Sequence, residues 1–373
     1  MRLAVAHSLD PETKLATAEL AAALAPHGPP AALVVFAGID HDHEALLAGL
    51  AAAHPGVPIV GCTTDGELST VEGFQEDTVV VGALYGVRAR RVSVFDLSTT
   101  GVAGVEAAVR AAGAQSARLC LAFTESLTMS AVDLVGAIYR VLDDDVPVVG
   151  GTAGDQWRFQ RTWQFHDDRV VSDSMALLLL DGDFALNVGV FSGWAPIGGD
   201  GRVTDVVGNL VRAINGEPAT RFYTRLFGEA VEYSPEHPLA VLHEDGRLAY
   251  LRAPLSSHPD GSITFAGDVP PGALVRMTHA SRDEILAGCT ASVTAAAERV
   301  RAPLGALVIS CAARKQVLGT RTQEEVDAVT RALGGADVPV LGFYSYGEIG
   351  PMQGRTCADF HNETFVTAVF GAA

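Results

Sequence analysis

Three short stretches concentrate the residue types that can do chemistry: GCTTDGE at 61–67, GGTAGDQ at 150–156 and GFYSYGE at 342–348. Each follows Val-Pro-x-Val/Leu, so each is a buried strand that stops at a glycine and opens into hydroxyl and acidic groups. Cys62 stands where a nucleophile elbow would place a thiol, and neighbouring backbone N–H groups could support a thiolate there. The same position holds Gly151 and Phe343 in the other stretches. A single catalytic elbow would not be repeated in this way, and free cysteines are commonly buried and inert. Glu67 and Glu348 occupy equivalent places, with Asp155-Gln156 in the second copy. Such carboxylates either meet a ligand ammonium group or satisfy the amides of their own turn. The glycines permit close backbone approach, but no G-x-x-x-x-G-K-[ST] or G-x-G-x-x-G phosphate cradle stands at these loops.

Other groups belong to the same sheet edge. Arg314, in SCAARKQVLG, could hold a carboxylate bidentately; an exposed loop arginine is the competing view. Tyr344, Ser345 and Tyr346 alternate, so one tyrosine can line a pocket while the other packs inward. His361 and Asn362 could reach the same edge. Together these define a zwitterion site: Arg314 on a carboxylate, Glu348 or Asp65 on an ammonium group, and Thr63, Thr64, Thr152 and Ser345 as neutral partners. Trp157 and Trp163 are expected to pack on strands. The His41-Asp42-His43 run lacks further ligands at metal spacing and reads as a helix start capped by Asp40 or Asp42.

The elements that must position these residues recur. A unit of apolar strand, polar loop, amphipathic helix, Val-Pro strand, Gly-rich loop and closing strand repeats at 31–86, 117–182 and 305–371. Its first strands, AALVVFAG, ARLCLAFT and GALVISCA, are continuous apolar runs, as expected of strands covered on both faces. We expect parallel crossovers that place the Gly-rich loops at the carboxyl ends of the strands, where open α/β sheets bind ligands. Asp10 is expected to cap the first helix, and Thr322 and Glu325 to form a capping box. Residues 183–300 break the pattern, with turns at Asn215-Gly216 and Asp245-Gly246. The expected fold is a two-domain mixed α/β protein with repeated strand-helix-strand units and helices covering the sheets, divided at 1–220 and 221–373.

Composition narrows the function. The formal net charge of −18 disfavours nucleic acid and anionic membrane surfaces. Five scattered cysteines without a C-x-x-C pair suggest neither a disulfide framework nor a zinc site, but reduced thiols in the cytoplasm. No apolar run approaches the ~20 residues of a membrane span. No cofactor or metal is called for.

GCTTDGE, VPVVGGTAGD, CAARKQVLG and LGFYSYGEIGP followed by FHNETF resemble the FIST family, in both its N-terminal and C-terminal parts, across nearly the whole chain. The resemblance implies an intracellular sensor that binds a small ligand, amino acids being the proposed class, and passes its state to a signalling partner. Bacterial members are often fused to transmitter modules. Here no such module follows the last closing strand, so a separate protein partner is expected. Two other hypotheses stand beside the sensor: a thiol-dependent acyl or amide transferase on Cys62 or Cys311 with His361 as base, and a ligand-free interaction scaffold. The balance leans away from an enzyme.

Overall fold

The computed structural model describes residues 1–113, 117–125, 127–352 and 357–373. The three expected units are built alike. Strands Ala32–Ala37 and Ile59–Thr63 pair in parallel through the crossover helix His43–Ala53, and Val79–Tyr85 and Arg2–Ser8 extend the sheet antiparallel. Leu119–Thr124 and Val148–Thr152 do the same, with Met175–Asp181 and Arg88–Val94 outside. Pro303–Cys311 and Val340–Ser345 form the third pair, extended by Phe365–Gly371 and Ala185–Phe191.

Each sheet is completed by a hairpin from another unit. Glu67–Ser69 of unit one pairs with Val340–Ser345 of unit three. Gln164–His166 of unit two pairs with Ile59–Thr63 of unit one, and Glu348–Pro351 of unit three with Val148–Thr152 of unit two. The exchange is cyclic, so no unit closes its own sheet. Strands from either side of residue 220 therefore share sheets.

The apolar strand runs are explained by two different covers. Alternate residues such as Leu33, Val35 and Ala37 face helix residues Leu46, Leu47 and Leu50. The other face does not meet helices, as a doubly covered sheet would require. Val34 and Phe36, Leu121 and Phe123, and Ile309 and Phe343 meet in one core shared by the three sheets. Phe36 lies 4.3 Å from Phe343 and 5.3 Å from Phe123, ring centre to ring centre.

The repeated glycine has a steric cause. A Cβ on Gly61 would lie 1.8 Å from the Val35 carbonyl oxygen, and one on Gly150 1.8 Å from that of Ala122. On Gly342 it would meet Val308 Cγ2 at 2.3 Å. Only glycine lets the parallel strands approach so closely.

Two expected caps differ. The first helix starts at Thr13, after Glu12, with no side-chain cap; Asp10 instead accepts from the Glu12 N–H. Thr322 precedes helix Gln323–Ala332 with helical backbone angles and donates to the Gly319 carbonyl. Glu325 turns inward. Asp42 does cap its helix, accepting from the Ala45 N–H at 3.0 Å.

Residues between Ala195 and His279 form a separate antiparallel sheet with helix Ala219–Phe227. The expected turn at Asp245-Gly246 joins its strands Leu239–Leu242 and Leu248–Arg252. No helix among the described residues is long and apolar enough to cross a membrane.

Candidate functional site

The three Gly-rich loops converge, locked to one another by backbone hydrogen bonds. Asp65 N–H donates to the Tyr344 carbonyl (2.9 Å), Gly154 N–H to that of Thr63 (2.9 Å) and Tyr346 N–H to that of Thr152 (3.4 Å). In return Tyr344 N–H donates to Gly66, Thr152 N–H to Gly347 and Thr63 N–H to Trp163. Equivalent positions do equivalent work around the ring, which explains why the sequence repeats there.

The acidic residues that close the loops are gripped by their own framework. Thr78 donates to Glu67 through both its N–H and its hydroxyl (3.1 and 2.7 Å), and Thr64 donates to the other oxygen. Thr364 holds Glu348 in the same way (3.1 and 2.9 Å), with Ser345 on the other oxygen at 2.8 Å. In unit two this place belongs to Gln164, held by Ser174, and not to Gln156 as the sequence alignment implies. Burial pushes the carboxyls of Glu67 and Glu348 up to about 7 against these hydrogen bonds.

The remaining expected residues divide. Arg314 is fully buried and binds Glu325 through Nε (3.0 Å) and Nη2 (2.6 Å), and Nη2 also donates to the Ile285 carbonyl. Tyr344 donates its hydroxyl to the same carboxylate. Both therefore belong to the helix-side core, and Arg314 does not line a ligand cleft. Asp65 is buried against Lys315 Nζ at 3.0 Å; burial raises its carboxyl to about 6, against the pull of Lys315. Cys62 lies in the shared core, its thiol pushed well up by burial and then by Glu67. Gly151 is packed between Ile309 and Ser345, and the Thr152 hydroxyl is enclosed. His361 Nε2 bonds the Gly350 carbonyl at 2.8 Å. His41 and His43 bond the carbonyls of Asp77 and Gly38, and among the described residues no group of three or more His, Cys, Asp or Glu could hold a metal ion.

Ser345, Tyr346 and Asn362 do come together, on the floor of a cleft of about 330 Å³. The cleft lies where the three-fold pattern fails. Unit two reaches Gln164 fourteen residues after Gly150, whereas the other units need six to reach the equivalent glutamate. The additional residues carry Trp157 and Phe159, which form one wall. Gln156, Trp157 and Phe159 all have left-handed backbone (φ 54, 60 and 47°), a conformation that costs about 1–3 kcal/mol per non-glycine residue and clusters at functional sites. Asp155 holds them there: its carboxylate accepts from the N–H groups of Phe159, Gln160 and Arg161 and from the Tyr346 hydroxyl. Phe159 stacks on Tyr346 at 4.8 Å, with Trp157 6.0 Å from the same ring.

The opposite wall comes from the separate sheet, through Ala253, Leu255 and the segment 265–268, and Ser130 bridges to it by donating to Asp268 at 2.8 Å. Leu127, Phe159 and Leu255, exposed by 37, 45 and 45%, rim the opening. An apolar rim around a few polar groups is the pattern of ligand sites. Cys311 and Asn362 complete the floor. Burial, then Glu348 and Glu363, push the Cys311 thiol well up, while the N–H groups of Glu363 and Ala313 act the other way. The sequence offered one signal for this wall: WRF at 157–159 follows a Gly-rich loop and has no counterpart in the other units.

The FIST N domain model matches residues 31–217 and the FIST C domain model residues 219–351. An uncharacterized protein of Mycobacterium tuberculosis strain H37Rv is 26% identical over 99% of this chain and 100% of its own length. One from Mycobacterium bovis is 30% identical over 60% of each chain. Among solved structures, cyanuric acid hydrolase from A. caulinodans aligns with 100% of this chain and 99% of its own at 11% identity, with a TM-score of 0.35. With both domain models spanning most of its length, the chain belongs to the FIST family.

Proposed function

We propose that this protein is a cytoplasmic small-ligand sensor whose ligand sits in the cleft between the loop junction and the separate sheet, and whose state is read by a separate signalling partner. Domains of this family are small-ligand sensors in signalling. The observation that carries the proposal is the composition of the cleft. Its walls are built from segments that depart from the repeat, strained backbone included, while the repeated glutamates Glu67 and Glu348 are held by their own framework. A ligand there would touch both the junction and the separate sheet, so its binding biases how the two sit together.

The charge of the cleft refines the ligand. Among the described residues lining it there is no Lys, Arg or His, and Asp268 is its carboxylate. A free amino acid would bring a carboxylate with no counter-charge, at a cost. Amino-acid ligands are therefore expected with the carboxylate masked, as amides or esters, which reverses the selectivity of a site built on Arg314. A thermal-shift screen of free amino acids against their amides and esters tests this. A ligand at 100 times its dissociation constant stabilises by about 2.7 kcal/mol, and the shift should disappear in Phe159→Ala. Hits that are anionic and indifferent to Phe159→Ala would place the ligand elsewhere.

One observation supports a second reading, thiol chemistry. Cys311 lines the cleft beside the buried Glu348, a carboxylate placed to accept its proton. It requires one cysteine that reacts stoichiometrically near neutral pH and is silenced by Glu348→Gln; uniformly slow thiols remove it.

A further inference from the structure

We propose that the ligand of this cleft is a small, flat, uncharged ring that carries an N–H donor beside a C=O acceptor, the edge found in cyclic amides, cyclic imides and pyrimidine-type bases. This rests on the cleft being the ligand site.

The first observation is Asn362. Its side chain is 1% exposed and lines the cleft, yet among the described residues neither its oxygen nor its nitrogen has a hydrogen-bond partner. Buried amides are otherwise almost always paired. A primary amide presents one acceptor and one donor side by side, and the matching edge is another amide locked in the cis arrangement, as a ring locks it. Which way round the Asn362 amide stands does not matter, because both of its ends are open.

The second is the aromatic wall. Phe159 keeps 45% of its surface exposed at the cleft, braced from behind by Tyr346 at 4.8 Å and an interplanar angle of 27°. Trp157 and Phe360 line the same space. Flat aromatic surfaces bind flat ligands by offset stacking. The backbone that presents them is held in the left-handed region by Asp155, so the platform is preorganised.

The third is charge. The lining holds no cationic side chain among the described residues, and the one carboxylate, Asp268, already accepts from Ser130. The chain as a whole carries −18. Anions are disfavoured, and a cation would have to compete with Ser130 for the one carboxylate of the lining. A volume of about 330 Å³ suits one or two rings.

The test uses 2-pyridone, its N-methyl derivative, uracil, benzoate and benzylamine as probes, read by calorimetry and by the part of the tryptophan fluorescence that is lost in Trp157→Phe. Expected are binding of 2-pyridone and uracil, binding of N-methyl-2-pyridone weaker by about tenfold or more because Asn362 loses a partner, and no binding of benzoate. Asn362→Leu should abolish the difference between pyridone and its N-methyl derivative. Should Asn362→Leu fail to fold, Phe159→Ala at the exposed wall must weaken both equally. Equal affinity for the two pyridones, tighter binding of benzylamine or benzoate, or silence of all five probes overturns the assignment of ligand class. The cleft as ligand site is judged separately, by whether hits of the amino-acid amide and ester screen vanish in Phe159→Ala.

Discussion

Removing the Arg314 guanidinium separates a structural role from a ligand-binding one. Glu325 is fully buried and takes four hydrogen bonds: two from Arg314, one from Ser310 at 2.9 Å and one from Tyr344 at 2.6 Å. The pKa of Arg314 is raised: burial, the largest single effect, would lower it, and the charge and hydrogen bond of Glu325 together with the Cys289 and Tyr344 groups outweigh that. In Arg314→Met the carboxylate keeps two neutral donors and loses its counter-ion in a site without solvent, which costs about 3–5 kcal/mol. Arg314→Met/Glu325→Gln removes the orphaned charge while the Gln oxygen still accepts from Ser310 and Tyr344. The double variant should therefore recover at least about 2 kcal/mol of that loss. Urea denaturation of wild type, both single variants and the double variant gives the coupling energy. Ligand affinity of whatever folds should be unchanged. A coupling below about 0.5 kcal/mol, or a stable Arg314→Met that no longer binds ligand, would refute the argument and return Arg314 to the ligand.

Three further outcomes follow from the same packing. Glu348 has an ordinary value of 4.5 and about 7 in the fold, so the folded protein binds its proton more tightly. The stability it contributes is present below pH 4.5 and is lost as pH rises through about 7. The urea midpoint of wild type relative to Glu348→Gln should fall across that window, with a slope of at most about 1.4 kcal/mol per pH unit; a pH-independent difference would contradict it. Gly150→Ala should lose about 3 kcal/mol or more, because its Cβ would meet a backbone carbonyl that cannot turn away. The matched helix change Gly136→Ala, with nothing nearer than Arg140 Nη1 at 3.9 Å, should gain about 0.5–1 kcal/mol. Asp155→Ala removes the acceptor of three backbone N–H groups, so amide exchange at residues 159–161 should accelerate while the core strands keep their protection.

Much of the framework was legible in the residues themselves. The close approach of parallel strands selects glycine at 61, 150 and 342, and continuous apolar strands require cover on both faces, so the repeat and its α/β character could be read one segment at a time. What each face meets could not. An apolar run is the same whether a helix or a neighbouring sheet covers it, and the cyclic exchange of hairpins leaves no local mark. The capping-box spacing of Thr322 and Glu325 is a true local signal, overridden because the Arg314 guanidinium offers Glu325 more than a helix terminus does. Constant spacing aligns Gln156 with Glu67, whereas strand pairing gives that role to Gln164.

The sequence by itself determined the repeat, its strands and helices and the family, since each depends on spacing within a few dozen residues. Only the tertiary structure brought the lining of the cleft together. Asn362, Trp157, Phe159 and the 253–268 segment meet across long separations in sequence, and what makes them a cleft, an unpaired amide beside a braced aromatic wall, is a property of the space between them.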